Sequence, residues 1–129
     1  MISSPDRITG YKERKVVEFD VITGHLHLVS GELKRRISSF QRGKEKLKVG
    51  ISVDPETRWT KHRLSQHEWN KMVVIYESSS HDKISQAESE LINYSIERFP
   101  EKCQNQVSGG GGINEPYLYE KFYLYLLLK

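Results

Sequence analysis

Cysteine is nearly absent from this chain. Cys103 stands alone among 129 residues, which excludes an internal disulfide and suits a reducing compartment. Its plainest role is that of a small bystander thiol, because a thiolate nucleophile wants more basic neighbours than Lys102 alone. Long apolar runs are missing as well. The longest, Phe122 to Leu128, falls far short of the ~20 residues of a membrane span. The N-terminus lacks a charged-then-apolar leader, so the expected location is cytoplasmic or otherwise intracellular, with no membrane partner. Internal repeats, paired Cys/His zinc spacings, a P-loop and a serine-nucleophile motif are all lacking. Excess charge is small: +3 permits a nucleic-acid partner without demanding one.

Enough apolar material remains for one small core. Hydrophobic residues make up 36% of the chain and aromatics 10%, which fits a single domain over residues 1–129 with a short polar N-terminal arm, residues 1–13. The pattern is densest in Leu47 to His62, LKVGISVDPETRWTKH. Leu47, Val49 and Ile51 alternate with Lys48 and Gly50, which predicts a short strand. Asp54 then falls at an N-cap and Pro55 at the first helical position, where its missing N–H is no loss. On the helix that follows, Arg58 and His62 are four apart and share a face. Gly50 would let another group approach the strand backbone closely.

The flanks read as alternating strands and helices. Lys15 to Ile22 alternates, Thr23–Gly24 suits a turn, and His25 to Val29 alternates again with Leu26 and Leu28 inward, which predicts a β-hairpin. His25 and His27 would then be solvated, since a metal site would need a third ligand. Leu33, Ile37 and Phe40 mark a helix over 31–41 that carries the basic cluster Lys34, Arg35 and Arg36, either a solvated face or a phosphate-contacting patch. Trp69 to Glu77 reads as a central strand, followed by a helix from Lys83 to Phe99 capped by Asp82. The aromatic tail from Asn114 is too apolar to be free; it closes the core or pairs two copies as a homodimer. The fold expected is α+β, a small mainly antiparallel sheet flanked by helices.

A strand ending in Gly50, a short loop, Arg58 eight residues later and His62 after it resemble the second half of the GIY-YIG nuclease domain. Residues 84–92, ISQAESELI, resemble that family's metal-binding Glu helix, and 103–112, CQNQVSGGGG, resemble its Asn followed by a Gly-rich stretch. The resemblance covers about half the chain and departs from the family at both signature tyrosines. Lys48 stands where the second usually is. For the first, Phe40 lies at about the right distance upstream but has no hydroxyl, leaving Tyr11, Tyr76 and Tyr94 as candidates.

The resemblance implies a Mg²⁺- or Mn²⁺-dependent endonuclease acting on nucleic acid, with DNA the expected substrate. Arg58 would neutralise transition-state charge, since its fork matches two phosphate oxygens. Glu88 would be the metal ligand, and the helical stripe of Ile84, Ala87, Leu91 and Ile92 places it inward while Glu90 faces out. His62 would assist proton transfer or contact a phosphate, Lys48 would hold a phosphate or the attacking water, and Asn105 would orient the site, its alternative being plain turn chemistry before the glycines. Lys61 and Arg63 would join the basic cluster in contacting nucleic acid. The alternatives are a nucleic-acid-binding module of the same fold without catalysis, and an interaction protein that assembles through its C-terminus.

Overall fold

The computed structural model describes residues 17–64, 68–105 and 112–129. Strand β1 (Val17–Ile22) leads to helix α1 (Leu26–Phe40), strand β2 (Leu47–Ser52), helix α2 (Pro55–Arg63), strand β3 (Lys71–Ser78) and helix α3 (His81–Arg98). A 3₁₀ turn at Pro116–Leu118 precedes the last strand, β4 (Phe122–Leu128). The sheet order is β1-β3-β4-β2. β4 runs antiparallel to both neighbours, whereas β1 joins β3 in parallel, so the α+β expectation holds with a mixed sheet.

The predicted hairpin is replaced by a strand and a helix. Residues 25–29 are not a second strand: Leu26 opens α1, and Leu26, Leu33 and Ile37 form its buried stripe. Both periodicities are compatible with HLHLV, and the helical one wins because it continues through Leu33, Ile37 and Phe40. Leu28 consequently points to solvent at 72% exposure instead of inward. His25 becomes the residue before the helix and His27 an exposed helical residue. Helix α3 also starts earlier than expected. Ser80, not Asp82, is its cap, its hydroxyl accepting from Lys83 N at 3.2 Å.

Two apolar layers cover the sheet. On one face α1 and α3 bury Leu33, Ile37, Ile84 and Leu91 against Leu47, Val49, Ile51, Leu124 and Leu126. On the other, Trp59 of α2 packs with Trp69, Met72, Val74, Tyr125 and Leu127. The side chains of β4 alternate between these layers, as a strand with both faces covered requires. The aromatic tail therefore closes the chain's own core: β4 is internal to the sheet, and the aromatics left outside are Tyr117 and Tyr119. No helix among the described residues is long and apolar enough to cross a membrane.

β2 is an edge strand, and its free side is closed by the backbone of residues 102–104 and the side chain of Asn105. Leu47 N–H donates to Lys102 O and Leu47 O accepts from Gln104 N–H, at 3.0 and 2.8 Å. Two residues on, Asn105 Oδ1 accepts from Val49 N at 2.8 Å while its Nδ2 donates to Val49 O at 3.0 Å. The amide of Asn105 thus stands in for a neighbouring strand, as a sheet edge demands.

Candidate active site

The organising stretch folds as its residues dictate. Asp54 Oδ1 accepts from Thr57 N at 3.2 Å, its Oδ2 accepts from Thr57 Oγ1 at 2.8 Å, and Pro55 opens α2. Pro55 and Trp59 face the sheet, so Arg58 and His62 are rotated toward the β2 edge. Arg58 Nη1 donates to Ile51 O at 3.4 Å, continuing the row of edge contacts begun at Leu47 and Val49.

Gly50 and Tyr125 face each other across the β2–β4 ladder. A Cβ on Gly50 would lie 2.4 Å from Tyr125 Oη and 2.5 Å from its Cζ. The tyrosine ring therefore lies flat across β2, in space that only glycine leaves open. This brings the phenol of an internal strand to the sheet edge. There Tyr125 Oη and His62 Nε2 share a 3.0 Å hydrogen bond. Burial raises the phenol pKa and Arg58 opposes the shift by charge and by hydrogen bonding, while Glu88 raises it further. The group is accordingly a neutral phenol at ordinary pH.

Glu88 approaches from the other side of the same edge. It sits on the buried stripe of α3 with Ile84, Ala87, Leu91 and Ile92 and is only 7% exposed, whereas Glu90 is half-buried and paired with Lys34 at 3.2 Å. Burial pushes Glu88 up to about 7, against the pull of Arg58. A buried carboxylate raised this far lacks sufficient positive charge around it. A divalent cation would meet that need, and a Mg²⁺ held by one carboxylate, waters and a substrate phosphate requires no further protein ligand. No group of three potential ligands exists among the described residues, so waters and substrate oxygens would have to complete the shell of an ion held by Glu88.

The remaining expected residues divide. Lys48 has its side chain on the Gly50–Tyr125 face, by the alternation of β2. Asn105 is at the site's margin but holds the β2 backbone. Lys61 is exposed on α2, and Arg63 faces a pocket beside Trp59. The basic cluster of α1 is not brought to the site. Lys34 pairs with Glu90, Arg35 with Glu32 at 2.7 Å, and Arg36 with Asp20 and Glu32.

Two of the tyrosine candidates are engaged away from this edge. Tyr76 donates to Gly24 O at 2.7 Å, and Tyr94 bonds Ser38 Oγ at 2.7 Å between the helices. Phe40 packs under Lys71 Nζ, and Tyr11 lies outside the described residues, as do Gly109, Gly110 and Gly111. Tyr125 is the residue that sequence reasoning missed. Its signal was Gly50, which called for a close neighbour, together with an aromatic strand placed downstream of β2 instead of upstream.

No family model, curated protein or solved structure matches this chain.

Proposed function

We propose that this protein is a divalent-metal-dependent endonuclease of GIY-YIG type, hydrolysing phosphodiester bonds in nucleic acid, with DNA as substrate. The observation that carries the reading is the convergence of Arg58, His62, Tyr125 and buried Glu88 at the Gly50 edge. An arginine, a phenol linked to an imidazole and a carboxylate in need of a cation match the requirements of phosphodiester hydrolysis. In this reading β4, from the C-terminal end of the chain, supplies the tyrosine that the resemblance places upstream.

The chemistry divides among the side chains. Attacking water gives a proton to Tyr125 Oη as the phenol passes its own to His62 Nε2, so no phenolate has to form in a buried site. The new P–O bond forms as the P–O bond to the leaving oxygen breaks. Arg58 meets the charge that accumulates on the non-bridging oxygens. A divalent ion on Glu88 would supply further charge neutralisation at the phosphate. Lys48, on the same face, would hold a phosphate.

Plasmid nicking with Mg²⁺ and with chelator tests this reading. Arg58→Lys keeps the charge and loses the fork, so nicking should fall by about 10²-fold while nucleic-acid affinity changes little. Full activity in Arg58→Lys, or nicking that persists in chelator, would remove the proposal.

A further inference from the structure

Ion pairing leaves the positive charge of this chain unevenly spread. Lys34, Arg35, Arg36, Lys71, Lys121 and Lys129 each meet a carboxylate. Arg98 lies over the Tyr94 ring, and Lys102 Nζ donates to Gln41. Four cations close together in sequence have no such partner. Among the described residues, the side chains of Arg42, Lys44, Lys46 and Lys48 make no ion pair or hydrogen bond. They lie on the turn from α1 into β2 and on β2 itself, the strand that leads to Gly50. Glu45, the acid inside this run, forms no ion pair with them. Lys61, three residues beyond Arg58 on α2, is exposed and free as well.

Two of these cations are in register with the candidate site. Lys46 N donates to Lys129 O at 3.2 Å and Lys129 N to Lys46 O at 3.1 Å, which extends the β2–β4 ladder by one pair. Lys46, Lys48 and Gly50 therefore fall on one face of β2, the face of Tyr125, at about 6.6 Å per step. That step is close to the separation of successive phosphates along a nucleic-acid strand. Lys46 also stands directly opposite Lys129, and like charges in that relation repel. Glu68 meets Lys129 Nζ at 3.4 Å, and the Lys46 ammonium is left without an anion. We propose that a strand of the nucleic-acid substrate lies along this face of β2, with successive phosphates on Lys46 and Lys48 and the phosphate to be cut at the Gly50–Arg58 end. The grip then falls on one side of the cut. The turn cations Arg42 and Lys44 continue the path away from the site. This inference rests on the nuclease reading for the identity of the polyanion and the position of the cut, but its test does not use cleavage.

Fluorescence anisotropy of a labelled DNA oligonucleotide, titrated in chelator over a series of salt concentrations, reports how many phosphates the protein neutralises. Lys46→Ala and Lys48→Ala should each lower the salt slope by about one unit and weaken binding by about threefold or more at low salt. The double variant should lower the slope by about two units, because the two side chains meet different phosphates. Lys46→Arg keeps the charge and should keep the slope. Lys83 is a free cation elsewhere, beside Thr23 and Gly24 at the start of α3, so Lys83→Ala should leave the slope unchanged. An unchanged slope in Lys46→Ala, a loss of equal size in Lys83→Ala, or equally tight binding of polyglutamate overturns the track. Nicking with no change of slope in the Lys46 variants sinks the track alone. Slopes that fall as expected without nicking keep the track and sink the nuclease.

Discussion

Glu88 is the residue whose environment departs furthest from what its chemistry prefers. Burial raises its pKa from the ordinary 4.5 to about 7, and Arg58 only partly offsets this. The sign follows from linkage. Between these two values the unfolded chain gives up the proton while the folded one keeps it, so folding stability falls as pH rises. The contribution is complete below pH 4.5 and gone above about 7. In chelator, stability should therefore decline across that window by on the order of 2 kcal/mol from this group. Glu88→Gln should flatten the decline, and Mg²⁺ should restore stability at pH 8 in the wild type only. Denaturant midpoints from pH 5 to 8 measure this directly, and identical pH profiles for the two proteins would contradict the assignment. Sequence pattern alone identified Glu88 as inward-facing, because the stripe on α3 is unbroken around it. It could not identify Tyr125, since three consecutive leucines after it mask the alternation of β4.

Among the elements, those with one consistent period were legible and those with two were not. β2 and α2 were readable because alternation, a cap and an N1 proline agree within a few residues. The start of α1 was not, because HLHL fits a strand and only the residues beyond it favour a helix. The same helix shows how neighbours alter a charge reading. Lys34, Arg35 and Arg36 form a basic run in sequence, but each meets a carboxylate in the fold. Arg36 also donates to Asp20 O at 2.6 Å and is the least exposed of the three, which makes it part of the β1–α1 junction. Substituting Ala for Lys34 or Arg35 should leave the salt dependence of nucleic-acid binding unchanged. A slope reduced by about one unit for either would return the cluster to the binding surface.

At the scale of the molecule, the site depends on the order of strands. β4 comes last in the chain and lies inside the sheet between β3 and β2. Its end adjoins the start of β2: Lys129 N donates to Lys46 O, and Lys129 O accepts from the Glu45 and Lys46 amides. The β4–β2 pair thus has the geometry of a hairpin whose turn has been opened, with the tyrosine strand following the Gly50 strand in sequence while lying beside it in space. A reading that moves only forward along the chain looks for that tyrosine upstream and finds Phe40. Non-local pairing of this kind has no local sequence signature. In the proposed mechanism the phenol delivered by β4 takes part in the reaction. The measurement closest to it is single-turnover nicking by Tyr125→Phe, which keeps the ring over Gly50 and removes only the hydroxyl. The cleavage rate should fall by about 10²-fold or more, with nucleic-acid affinity and thermal stability near wild type. A Tyr125→Phe protein that cleaves at the wild-type rate would contradict it.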